Sequence, residues 1–159
     1  MRKSVNSGDI AQHRIYQILL FSGPLITLAV NPWTSYDPIG LPKMLILASF
    51  ATSLGFLLIS RKNEVRAKLP RATWIIFATF GSWLVVSMFF SGAPLQQQFW
   101  GSFGRNTGFL TYVSLLTILI ATAILSSRDY YAGLTKALVG TALPMTAYCL
   151  VQMAGKDPI

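Results

Sequence analysis

Five long apolar stretches alternate along this chain with short polar segments that carry most of its charged residues. The stretches cover approximately residues 15–30, 44–59, 72–90, 109–125 and 137–153. As α-helices, each would be roughly 24–28 Å long, slightly short of a bilayer hydrocarbon core of about 30 Å. The long stems of basic residues at the helix ends would complete the span, namely those of Arg14, Lys43, Arg71 and Lys136. The pattern therefore predicts an all-α, polytopic membrane bundle of about five transmembrane helices.

The first stretch also has features of a secretory signal peptide. Arg2, Lys3 and Arg14 precede it, and residues 27–29 form a poor cleavage site. The four later stretches make the chain a membrane protein under either interpretation, and we predict a retained helix. Pro24 is expected to kink this helix in mid-membrane, where neighbouring helices can cover the freed carbonyl.

The composition agrees with a membrane protein and excludes several other classes. Hydrophobic residues make up 53% of the chain and charged residues only 11%, whereas soluble domains carry about 25% charged residues. The formal charge is +8, but the basic residues lie between apolar stretches, which indicates topology rather than nucleic-acid binding. The single cysteine, Cys149, can form no intrachain disulfide, and with one histidine no metal cluster is expected. We therefore expect no cofactor.

The distribution of basic residues predicts the orientation in the membrane. Most of the 13 Lys and Arg residues lie in the N-terminal segment and in the second and fourth connecting segments. Because Lys and Arg concentrate on the cytoplasmic side, residues 1–14 are predicted to be a cytoplasmic segment and residues 15–159 the transmembrane region. The first and third connecting segments then lie outside, with residues 95–100 as a short interfacial stretch. The chain would end on the outer side after five crossings.

The predicted outer segments contain four candidate substrate-binding residues. Asp37 and Lys43 lie in the first, where the alternative is a Pro-rich turn capped by Asp37 with Lys43 reaching the interface. Arg105 and Asn106 lie in the glycine-rich segment 101–108, directly before the fourth helix. An arginine here could bind a pyrophosphate through paired hydrogen bonds, assisted by amides at the helix N-terminus. The alternative is that Arg105 only anchors the segment at the interface.

The residues do not form a complete active site. The one histidine, His13, lies in the predicted cytoplasmic segment, and there is no paired carboxylate arrangement, phosphate-binding loop or dinucleotide motif. The five apolar stretches contain no Asp, Glu, Lys or Arg, which disfavours a secondary transporter because transporters use ionisable groups within the membrane.

Three segments together resemble the N-terminal region of the O-antigen ligase and O-antigen polymerase superfamily. Residues 37–43 lead into the second helix; residues 99–112 are similar to the family's GxxxRxxG lead into a helix; residues 148–158 are similar to its YxxxQxxGxDP exit from a helix. The segments occur in the family's order and on one predicted membrane face. The resemblance covers approximately residues 15–159.

The resemblance implies a metal-independent glycosyltransferase of the bacterial inner membrane. Such enzymes transfer a glycan from undecaprenyl diphosphate to a lipid, polysaccharide or protein acceptor in cell-envelope polysaccharide synthesis, including that of lipopolysaccharide. Expected partners are membrane lipids and a polyprenyl-diphosphate-linked glycan. Family members are several hundred residues long and carry their key arginines and histidine further downstream, so this chain is expected to be an N-terminal portion with no catalytic residue of its own. The alternative is a small non-enzymatic scaffold or subunit that binds lipid-linked glycans.

Overall fold

The computed structural model describes residues 7–30, 39–102 and 105–154, and this part of the chain is helical without any β-strand. It contains seven helices, in the order α1 (Ser7–Leu28), α2 (Gly40–Ser60), α3 (Lys62–Lys68), α4 (Arg71–Phe90), α5 (Leu95–Trp100), α6 (Phe109–Ala123) and α7 (Arg128–Met153). The five longer helices coincide with most of each apolar stretch, although α1 ends at Leu28 and α6 at Ala123, two residues before the stretches end. The predicted all-α class is confirmed for the described residues.

Three of the described helices are long and apolar enough to cross a membrane, namely Gly40–Ser60, Arg71–Phe90 and Arg128–Val151. The protein is therefore a membrane-embedded helical bundle. The apolar helix α6 is shorter, with 15 residues, and α1 begins with a polar half that contains Gln12, His13 and Arg14. Five crossings and the direction of insertion stay predictions.

The boundaries of two helices differ from those of the apolar stretches. Helix α7 begins at Arg128 rather than near residue 137, because Ser127 accepts a hydrogen bond on its Oγ from the Asp129 amide at 3.2 Å and caps the first turn. The Tyr131 hydroxyl donates to the Leu125 carbonyl at 2.8 Å and holds this start against the preceding turn. Helix α1 begins at Ser7 and continues through Pro24 to Leu28. In both helices the added turns are polar, so hydropathy alone does not detect them.

The bundle is built around α1, α2 and α6, which contact one another. Helix α7 packs against α1, α4 packs against α6, and the short α5 contacts both α4 and α6. The main core lies where α1, α2, α3 and α6 meet and consists of Ile15, Leu19, Leu54, Leu58, Val65, Ala121, Ile124 and Leu125. Leu54 and Ala121 are both 0% exposed. Gly55 of α2 faces Thr117 of α6, where a Cβ would lie 3.8 Å from the Thr117 methyl group, in ordinary van der Waals contact.

The contact between α1 and α7 also depends on glycine. The Tyr16 ring stacks on the Tyr130 ring with 4.6 Å between centroids, and a Cβ at Gly133 would collide with the Tyr16 hydroxyl. A Cβ at Gly23 would lie 3.0 Å from Leu138 Cδ2 on the facing helix. Thus α7, whose outward surface is almost entirely exposed, is positioned on α1 by close approach at two points.

The bundle has two distinguishable ends. Helices α2 and α6 run in the same direction, because Gly55 faces Thr117 and the later residues Leu58 and Ile124 share one core. Their starts, together with α5 and the segment 101–108, form one end, which we call the loop end. Helix α3 lies at the other end, which we call the α3 end; the 20-residue helix α4 separates the two by about 30 Å.

Candidate functional site

Two glycines bring together the two ends of the segment 101–108, of which the structure describes 101–102 and 105–108, at the loop end. Gly101 has a φ of 93°, a left-handed conformation that favours glycine. A Cβ on Gly101 would lie 2.7 Å from the Asn106 carbonyl carbon and 2.8 Å from the Gly108 nitrogen. A Cβ on Gly108 would in turn meet the Trp100 carbonyl carbon at 2.5 Å. The two ends of the loop therefore touch backbone to backbone, and neither position has room for a side chain.

Hydrogen bonds fix the backbone of the loop beside helix α6. The Ser102 carbonyl accepts from the amides of Arg105 and Asn106 at 3.1 and 3.0 Å. Asn106 has a φ of 48°, a conformation that asparagine tolerates better than most residues. Its carbonyl accepts a hydrogen bond from Thr111 Oγ1 at 2.6 Å, which joins the loop to the first turn of α6. The Arg105 backbone is thus held in place while its side chain is exposed.

An open cavity of about 490 Å³ lies next to the loop, between α4, α5 and α6. It is lined by Trp83, Leu84, Ser87, Met88, Ser91, Ala93, Gln97, Gln98, Gly101, Ser102, Thr107, Gly108, Phe109 and Tyr112. Hydroxyl groups, amides and aromatic rings dominate this lining, and no charged side chain belongs to it. Arg105 lies on the same loop but is not among the lining residues.

Helix α5 forms one wall of the cavity and is anchored by its own side chains. Gln98 Nε2 donates to the Ala93 carbonyl, while Gln98 Oε1 is buried without a hydrogen-bond partner in the described part of the chain. The Phe99 ring lies edge-on to Trp100 with 5.1 Å between centroids and contacts Phe109 of α6 with 6.3 Å between centroids. Residues 95–100 thus form a short helix packed on α6; that this stretch is interfacial on the outer side stays a prediction.

The structure brings together two of the four predicted binding residues and places a third at the same end. Arg105 and Asn106 are adjacent on the closed loop. Lys43 lies half-buried in the first turn of α2, and its amide donates to the Ile39 carbonyl at 3.4 Å. Because α2 and α6 run side by side from the loop end, Lys43 lies at the same end of the bundle as the loop. Asp37 lies outside the described residues.

The cavity residues on α4 were not predicted from the sequence. Trp83, Ser87 and Ser91 follow one another at intervals of four residues. They therefore lie on one face of α4, with Ser91 at the C-cap directly after its last residue. This spacing was the available signal, but two serines in an apolar helix are more often packing residues that bond their own backbone. Only the contact with α5 and α6 shows that this face borders a cavity.

Within the described part of the chain, no group of three or more His, Cys, Asp or Glu side chains could hold a metal ion. His13 and Cys149 are exposed at separate places, on α1 and α7. Comparison with known proteins gives no match to a family model, to a curated protein or to a solved structure. The fold and the site therefore define a membrane-embedded helical protein with a cavity of mixed polar and apolar lining beside a glycine-closed loop that bears an exposed arginine.

Proposed function

We propose that this protein binds a polyprenyl-diphosphate-linked glycan at its loop end, as part of a glycosyltransferase of the O-antigen ligase or polymerase type in the bacterial inner membrane. One observation carries the proposal: a closed loop holds an exposed arginine beside a cavity that has polar and aromatic lining but no charged side chain. The same loop belongs to the segment that resembles the family.

The two parts of the site suit the two parts of such a ligand. The planar guanidinium of Arg105 can donate two parallel hydrogen bonds to a diphosphate. The hydroxyl and amide groups of the cavity suit the neutral sugar units, and the exposed rings of Trp83 and Tyr112 offer flat surfaces for their apolar faces. A cavity of about 490 Å³ falls within the usual size range of small-molecule sites.

The closed loop supports binding because less conformational entropy is lost when the ligand binds. A loop that must be ordered when the ligand binds lowers the affinity by the free energy of that ordering. Here Gly101 and Gly108 close the loop and Ser102 fixes the Arg105 amide, so the backbone that carries the guanidinium group is already positioned.

In the transfer reaction the acceptor hydroxyl oxygen bonds to the anomeric carbon while the bond from that carbon to the diphosphate breaks. Arg105 would stabilise the negative charge that develops on the leaving diphosphate.

A non-enzymatic role in binding lipid-linked glycans is the second candidate. It is favoured by the cavity lining, which contains no histidine or carboxylate that could accept the proton of the acceptor hydroxyl. Both candidates require the same ligand at the same place. They differ in whether the intact protein consumes the lipid-linked glycan when an acceptor is supplied.

The test is binding of an undecaprenyl-diphosphate-linked glycan to the purified intact protein in nanodiscs, followed by assay of glycan transfer. Arg105→Ala is expected to weaken binding or transfer roughly 10- to 150-fold, the range of a lost hydrogen bond to a charged group. Arg105→Lys should restore only part of the loss, because lysine keeps the charge without the planar fork. Arg128→Ala removes an exposed arginine from the far end of the bundle and is the matched control.

Equal binding by wild type and Arg105→Ala would contradict the proposed role of this residue and leave it as an interfacial anchor. Binding without transfer, with every acceptor class supplied, would favour the non-enzymatic candidate. No binding by the wild-type protein would contradict both.

A further inference from the structure

A second open groove lies at the α3 end, between α2, α3 and α4. Its volume is about 500 Å³, and it is lined by Leu58, Ile59, Lys62, Val65, Arg66, Trp74, Ala78 and Ile120. Almost all of the lining is apolar, and the two basic side chains belong to α3. Because α2 and α4 are long and apolar enough to span the membrane, the walls of the groove continue along helix surfaces that face lipid.

The two basic residues lie together on one face of α3. Lys62 and Arg66 are one helical turn apart and both are exposed. Among the side chains that the structure describes, the single ion pair joins Arg61 to Glu64 at 3.0 Å. The one carboxylate of α3 is therefore engaged outside the groove. Lys62 and Arg66 consequently give the groove an uncompensated positive charge.

Trp74 supplies an indole ring to the same place. It lies in the first turn of α4 and lines the groove. Its Nε1 is buried, so the ring carbons are the part of the side chain that borders the groove. The groove thus combines apolar walls, an aromatic ring and two cations.

We propose that this groove binds one anionic phospholipid. Its phosphate would lie between Lys62 and Arg66, and one acyl chain would follow the apolar wall formed by α2 and α4. Basic clusters immediately beside membrane helices attract anionic lipid in this way. The groove and the cavity at the loop end share no lining residue, so this proposal does not depend on the proposed function.

Fluorescence of Trp74 tests this proposal directly. Phenylalanine replaces the other tryptophans, Trp33, Trp83 and Trp100, and the full-length protein is placed in nanodiscs of phosphatidylcholine. A small mole fraction of brominated phosphatidylglycerol should then quench Trp74 far more than its share of the lipid predicts. Brominated phosphatidylcholine at the same mole fraction should quench only in proportion to its share. Equal quenching by the two lipids would overturn the proposal, and this comparison requires no substitution in the groove.

Removal of the charges shows whether the groove itself selects the lipid. Each basic residue near the surface contributes roughly a fivefold increase in affinity for anionic lipid, so K62Q/R66Q should weaken phosphatidylglycerol binding on the order of 25-fold. R128Q/K136Q removes the same charge from another basic segment and should leave binding close to that of the parent. Equal losses in both double variants would indicate general surface attraction and contradict a defined site. Complete competition by millimolar inorganic phosphate would also contradict a defined site for a phospholipid.

Discussion

Replacement of Gly101 by alanine should open the loop that carries Arg105 while leaving the helical core intact. Alanine at a φ of 93° is strained, and its Cβ would meet backbone atoms of Asn106 and Gly108 at 2.7 and 2.8 Å. Strain of this kind costs about 1–3 kcal/mol at one residue. If opening the loop relieves it, the ratio of closed to open loop falls by a factor on the order of 5 to 150.

The consequence is measurable without knowledge of the ligand. In the closed loop the amides of Arg105 and Asn106 both donate to the Ser102 carbonyl. Hydrogen exchange at these two amides should accelerate by approximately the same factor by which the ratio of closed to open loop falls. Amides of the core helices around Leu54 should exchange at wild-type rates, because the substitution touches none of the buried apolar residues.

Gly92→Ala is the matched control for this prediction. Gly92 also has a left-handed φ, of 68°, but nothing lies within 4 Å of the position that its Cβ would take. The control therefore introduces comparable backbone strain in the neighbouring turn without obstructing the loop. Unchanged exchange of Arg105 and Asn106 in Gly101→Ala, or equal acceleration in both variants, would refute the argument that the glycine contact closes the loop.

Two further predictions concern packing and orientation. Gly133→Ala should lower the free energy of unfolding, measured by thermal unfolding, by about 1–3 kcal/mol, because the new methyl group would lie 3.1 Å from Tyr16 Cζ. Gly140 has open space around it, so Gly140→Ala should be neutral or slightly stabilising. An equal loss of stability in both variants would contradict the packing argument. Reporter fusions at Lys68 and Gln97 should report the cytoplasm and the periplasm, respectively, because basic residues concentrate in the segment around Lys68; a cytoplasmic signal at Gln97 would contradict both the topology and the family resemblance.

The sequence predicted the parts of the fold that follow from hydropathy and from glycine. The apolar stretches are mostly helical, and α6 begins at Phe109 directly after the glycine-rich segment, as expected. The polar turns that extend α7 to Arg128 were not predicted from hydropathy, although Ser127 followed by Asp129 is a recognisable capping signal. Helix α3 is short and strongly basic, so its sequence gave the charge of the segment but not its conformation.

The candidate site was only partly predictable, for a physical reason. Arg105 could be found because a cation on a glycine-rich segment is unusual on the predicted outer side. The cavity next to it could not, because it depends on how α4, α5 and α6 pack, and Ser87 on α4 has no distinguishing local pattern. The groove at the α3 end could not be predicted for the same reason, because Lys62 comes close to Trp74 only through the packing of α3 beside α2.

Under the proposed function, the loop end contacts the diphosphate and first sugar of a lipid-linked glycan. Photocrosslinking can detect this contact. The intact protein in nanodiscs is irradiated with an undecaprenyl-diphosphate glycan that carries a photoreactive group on its first sugar, and the modified peptides are identified. We expect crosslinks within α4 from Trp83 onward, in α5, and at the start of α6 near Tyr112. Unlabelled lipid-linked glycan should compete and reduce these crosslinks strongly. Crosslinks confined to the α3 end, or a pattern that unlabelled ligand does not change, would contradict binding of the glycan at the loop end.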